Sequence, residues 1–129
     1  MEKRSFSCGL DVALSVIGGK WKPLVLFHLN NGPRRFGELK RLVVGISEKV
    51  LIQQLRELAD DGIVIRQDYR EVPPRVDYEM TDFGRTLAQA LVPLCAWGDA
   101  HRSHIETVLQ AKQNARTPQA DTYRPIPGR

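Results

Sequence analysis

The sequence predicts a mainly α-helical fold that carries one small β-hairpin. Three observations predict it. Apolar residues recur three or four apart in four separate stretches before residue 62. Two short stretches between residues 63 and 80 alternate apolar with polar and flank a Pro-Pro pair. A single apolar stripe then runs from Phe83 to Val108 at helical spacing.

The elements follow in order. "CGLDVALSVIGGKW" places Leu10, Val12, Ala13, Val16 and Ile17 at helical spacing, and Gly18-Gly19 supplies a left-handed stop, so a first helix is expected over about 9–17. "WKPLVLFHLNNG" restarts at once, because Pro23 is tolerated in a first turn, where its missing N–H would be unbonded anyway. "RFGELKRLVVG" is a third helix with Phe36, Leu39 and Leu42 on one side. After Gly45, Ser47 is placed to cap a fourth helix that ends at Asp60-Asp61-Gly62. In the two strands Ile63, Ile65, Val76, Tyr78 and Met80 should face inward, and Arg66, Asp68, Arg75 and Asp77 should face water. Prolines cannot donate to a ladder, which puts Val72-Pro73-Pro74 at the hairpin tip. Thr81 should cap one long helix over about 81–113, with Pro93 as a point of bending. One domain is therefore expected over residues 1–113, with a proline-rich, aperiodic tail at 114–129 that should be disordered.

Composition narrows the classes. No apolar run reaches the roughly 18 residues of a membrane span, and Asp11 interrupts the segment after "MEKR" before it can serve as a secretory core. A cytoplasmic protein is expected, and two cysteines, Cys8 and Cys95, suit a reducing compartment. The net charge is +4, and its placement is uneven: residues 1 to 75 hold 13 Lys and Arg against 9 Asp and Glu, while residues 76 to 129 hold 6 of each. An acidic partner such as nucleic acid would meet the first part. No nucleophile is assembled with a base and an orienting group, and no glycine loop cradles a phosphate, so catalysis and a nucleotide cofactor are not expected. His101 and His104 stand at helical spacing beside Asp99 without a convincing third ligand, so no metal site is expected either.

Four helices followed by a hairpin is the element order of a winged helix-turn-helix, whose logic lies in the fourth helix. At about 100° per residue, Val50, Leu51, Leu55 and Leu58 share one side, and Lys49, Gln53 and Arg56 the other, flanked by Ile52 and Glu57. Arginine pairs with guanine and glutamine with adenine in a major groove, and Ser47 at the helix N-terminus suits a phosphate. A polar outer face is equally what any amphipathic surface helix shows. Arg75 beside the stiff tip suits a narrow minor groove, although prolines there also serve simply to blunt an exposed edge. Lys20 and Lys22 either contact phosphate or are solvated. Trp21, Phe36 and Trp97 lie on apolar faces and read as core. The long helix has more apolar stripe than so small a core covers, so Leu91, Leu94, Trp97, His101 and Ile105, with Leu10, are expected to pack against a second copy of the chain.

"GGKW", "RFGEL", "GIS", "PPRVDY" followed by Thr81 and Gly84, and Trp97-Gly98 stand in one order across about residues 8 to 98. This set resembles the HxlR-type branch of winged-helix transcription regulators, related to the MarR type. It departs at Gly9, where proline often follows the cysteine, and at Asp77 and Met80, where glutamate and leucine are usual. The resemblance implies a dimeric repressor or activator on a pseudo-palindromic stretch of double-stranded DNA, with the "GIS"-led helix in the major groove and the "PPR" hairpin as wing. It also implies, at Cys8, sensing of an oxidant or electrophile. That cysteine precedes a helix start near Lys3 and Arg4, a setting that favours thiolate; a small apolar residue at a dimer contact is the other reading. The competing function is a winged-helix module for protein-protein assembly.

Overall fold

The computed structural model describes residues 5 to 116. The chain divides into two compact units, one up to Val92 and one from Pro93 onward. The first holds α1 (Gly9–Ile17), α2 (Trp21–Leu29), β1 (Arg34–Arg35), α3 (Phe36–Leu42), α4 (Glu48–Asp60), β2 (Val64–Asp68) and β3 (Val76–Met80), and α5 (Asp82–Ala100) begins in it. The second holds the end of α5 and α6 (Arg102–Arg116). No single helix among the described residues is long and apolar enough to cross a membrane.

Local chemistry sets most boundaries. Gly19, at a φ of 92°, takes the left-handed turn after α1. The Ser47 hydroxyl accepts the Val50 N–H at 3.1 Å and caps α4. Gly62, at a φ of 74°, lets the chain leave α4 and enter β2. The Thr81 hydroxyl accepts the Gly84 N–H at 2.9 Å and lies 2.6 Å from the Gly62 carbonyl to which it donates, so one side chain caps α5 and ties it to the end of α4.

The core of the first unit gathers Val25, Leu26 and Leu29 of α2, Leu39 of α3, Leu51, Leu55 and Leu58 of α4, and Ile63, Val64 and Met80 at the foot of the hairpin. Trp21, Phe36, Val50 and Leu91 pack against it half-buried. All three α4 leucines fall on the side that the 100° spacing assigns to the core.

The sheet has three strands, not two, in the order β1-β3-β2 and antiparallel throughout. β1 places Arg34 opposite Tyr78 and Arg35 opposite Asp77. The expected alternation also fails at two residues. Ile65 is exposed, because only Ile63 and Val64, at the foot of the hairpin, reach the core, and both faces of β2 beyond them meet water. Asp77 is buried at 6% exposure, although acids are rarely interior. Arg75 lies 3.1 Å from it and Arg35 3.9 Å, and these two cations make the burial tolerable.

The long helix is interrupted. α5 carries Pro93 within it and stops at Ala100, and α6 starts at Arg102. The Trp97 carbonyl meets both the His101 N–H at 3.1 Å and the His101 Nδ1 at 2.9 Å, so side chain and backbone compete for one acceptor at the break. Gly98, a poor helix former, stands in the same turn. α6 continues through residues 114 to 116, and the tail expected beyond them lies outside the described residues, as do Lys3 and Arg4.

Candidate nucleic-acid interface

Helices α3 and α4 meet across a turn whose bend falls at Gly45, with a φ of 91°, while Val43 and Ile46 are buried and hold the turn to the core. This anchoring leaves the other side of α4 to solvent. Lys49, Gln53 and Arg56 are all exposed there, as the helical spacing predicts. Lys49 and Arg56 have no hydrogen-bonded or ion-paired partner among the described residues. Gln53 differs: one N–H of its amide donates to Glu57 Oε2 at 2.6 Å, which leaves its carbonyl oxygen and its second N–H open. Ser47, fixed as the N-cap, keeps its O–H free to donate beside the N–H groups of the first turn.

Glu57 also accepts from Lys22 Nζ at 2.6 Å, and the Lys22 side chain is only 13% exposed. The hydrogen bonds from Lys22 and Gln53 hold the Glu57 carboxyl below its ordinary range. Lys22 is therefore a tie between α2 and α4, and the open lysine of the pair is Lys20, whose ammonium sits 4.7 Å from the Trp21 ring centroid.

The wing is closed by the Tyr69 N–H on the Arg75 carbonyl at 3.0 Å, and Val72 at its tip is 98% exposed. Arg75 is held back on it. Its Nη2 donates to Asp77 at 3.1 Å, and its guanidinium carbon lies 4.2 Å from the Tyr69 ring centroid. The Asp77 hydrogen bond and charge hold the Arg75 proton more firmly than usual. The spacing i, i+2 on a strand puts two residues on one face, so the Arg75–Asp77 pair had a signal in the sequence. Lys22–Glu57, 35 residues apart, had none.

Cys8 is exposed at the N-cap of α1. The Asp11 N–H, the Ser7 hydroxyl and the Leu10 N–H favour its thiolate and pull its pKa down. Of the residues expected at a dimer contact, Leu10, Leu94, Trp97 and His101 are exposed in the chain, Ile105 is half-buried, and Leu91 packs on the chain's own core. Trp97, read from the sequence as core, stacks on His101 with 4.7 Å between ring centroids and remains exposed.

A turn-linked helix pair with a polar outer face and an adjoining hairpin defines a winged helix-turn-helix protein. The family model described as "HxlR-like helix-turn-helix" matches residues 16–106. The HTH-type transcriptional regulator YtcD of Bacillus subtilis (strain 168) is 48% identical over 105 residues, covering 81% of this chain and 83% of that protein. YkvN, an HTH-type regulator of the same strain, is 53% identical over 95 residues, covering 74% and 80%. The solved redox regulator HypR in its reduced form superposes with a TM-score of 0.72 at 42% identity, covering 78% of this chain and 99% of that one. The chain belongs to the HxlR-like helix-turn-helix family, and it is a DNA-binding transcriptional regulator of that type, not an enzyme. This disfavours the assembly-module reading.

Proposed function

We propose that two copies of the chain bind a pseudo-palindromic duplex in the cytoplasm, with one α4 in each of two major grooves about one helical turn apart. Lys49 and Arg56 contact bases or phosphates, the Gln53 carbonyl accepts from an exocyclic amino group of adenine or cytosine, and Ser47 with the α4 N-terminus holds a phosphate. Lys20 contacts the backbone, and the wing lies against the adjacent minor groove. One observation carries the reading: Lys49 and Arg56 stand on one exposed helix face without a partner among the described residues, while Lys22 nearby is engaged. The exposed Leu10, Leu94 and Trp97 support the second copy.

The effector is an oxidant or electrophile that acts at Cys8. Its exposed, thiolate-favouring position supports this, and so does the likeness to a redox regulator. Diamide takes two electrons from two thiols and leaves a disulfide, so its effect on binding tests the switch directly. Binding of the reduced protein to a selected duplex, followed by fluorescence anisotropy against salt, tests the rest. Log affinity should fall by about 0.9 per neutralised phosphate per log unit of salt, and Arg56→Ala should flatten that dependence or relax preference at one base pair. Diamide should change affinity in the wild type and not in Cys8→Ser. Affinity indifferent to salt would remove the DNA contacts, and identical diamide responses would remove the switch.

A further inference from the structure

The wing carries Arg66, Asp68, Arg70, Glu71, Arg75 and Asp77, and the structure divides their labour. Arg75 is fastened in two ways, by the bond to Asp77 at 3.1 Å and by the stack on Tyr69 at 4.2 Å, and its Nε is turned inward and buried, without a hydrogen-bond partner. Moving it to a duplex would leave the buried Asp77 with Arg35, 3.9 Å away, as its remaining counter-ion among the described residues. A group held this way is poorly placed to reach outward.

Arg70 is the opposite case. It is the one described non-glycine residue with a positive φ, 54°, a region that arginine seldom occupies. Asp68 holds it there by accepting the Arg70 N–H at 2.9 Å, and the bond from Tyr69 N–H to the Arg75 carbonyl closes the hairpin beside it. Its side chain is exposed and has no hydrogen-bonded or ion-paired partner among the described residues. Asp68 is further occupied by Arg66 at 4.0 Å, and Glu71 lies close enough to Arg75 to favour that residue's charge. The backbone at Arg70 is thus pinned while its guanidinium is free, so little chain entropy is lost when it meets an anion.

We propose that Arg70 is the wing's DNA-contacting cation, bound to a backbone phosphate at the edge of the minor groove, and that Arg75 is a positioning residue that acts through it. The inference rests on the DNA-binding reading above and refines it. A duplex selected by the wild-type protein from random-sequence DNA is titrated at several salt concentrations with wild type, Arg70→Ala, Arg70→Lys, Arg75→Ala and the double variant. Arg70→Ala should lower the salt dependence by about 0.9 per wing, and Arg70→Lys, which keeps the charge, should restore it. In the Arg75→Ala background Arg70→Ala should bring no further loss, because two residues acting through one contact are not additive. Tyr69→Leu, which removes the stack and no charge, should behave as Arg75→Ala does. An unchanged salt dependence in Arg70→Ala overturns the proposal, and so do independent, additive losses from the two arginines. A wild-type protein that selects no duplex removes the DNA-binding reading itself, a different result from a wild type that binds and an Arg70→Ala that binds equally well.

Discussion

Replacing Gly84 by alanine sets two effects against each other, and the structure decides the sign. Gly84 lies in the first turns of α5, where alanine is the better helix former by about 1 kcal/mol, so propensity alone predicts stabilisation. A Cβ at this position, however, would stand 2.1 Å from the Ile63 carbonyl oxygen, where ordinary contact begins near 3.4 Å. The obstacle is backbone, and it cannot rotate away. Ile63 is fully buried, and its carbonyl already accepts the Thr81 N–H at 3.0 Å and the Thr81 hydroxyl at 3.2 Å. Separating α5 from the foot of β2 would stretch both bonds, each contributing about 1 kcal/mol, on top of an overpacking cost of about 1 to 3 kcal/mol. Set against the propensity gain, the net loss is about 2 to 4 kcal/mol. Urea unfolding followed by tryptophan fluorescence at fixed protein concentration should show the midpoint falling with the slope unchanged, and the melting temperature should drop by at least about 8 °C. A Gly84→Ala variant as stable as the wild type, or more so, would refute the close approach of α5 to Ile63.

Leu55→Ala removes a buried α4 side chain and should destabilise by about 2 to 5 kcal/mol in the same urea titration; a loss below about 1 kcal/mol would contradict its place in the core. Glu57 has its folded pKa below the ordinary glutamate value, so the stability it lends is present above that value and is lost as the pH falls through the folded one. Melting measured from neutral to acid pH should therefore decline less steeply in Glu57→Gln than in the wild type, and parallel curves would discard the Lys22 tie. Cys8 in a Cys95→Ser chain should react with iodoacetamide at neutral pH faster when folded than when unfolded in urea, because its thiolate is favoured only in the folded state; slower reaction in the folded chain would deny that setting.

The parts of the fold that were legible are those fixed by local chemistry. Ser47, Gly62 and Thr81 mark their boundaries because a hydroxyl or a missing Cβ acts on residues within a turn of itself. β1 was not legible, since two arginines become a strand only through pairing with Tyr78 and Asp77, more than forty residues away. The exposure of Ile65 depends on how far the hairpin outreaches the core, and the break at His101 on a side chain competing for one carbonyl. The candidate site divides the same way. The outer face of α4 follows from helical periodicity, whereas the engagement of Lys22 by Glu57 and the fastening of Arg75 depend on charges that folding brings together.

Asp77 has a reach beyond the hairpin. Its two arginines come from different places: Arg75 from the wing, and Arg35 from the strand that runs directly into α3, where its N–H also meets Glu38 Oε1 at 2.9 Å. One interior carboxylate thus acts as a common rivet for the finger and for the strand that leads into the helix pair. The backbone ladder between β1 and β3 already joins these parts, so the carboxylate is a second lock on the same joint, and neutralising it should loosen the finger against α3 without unpairing the strands.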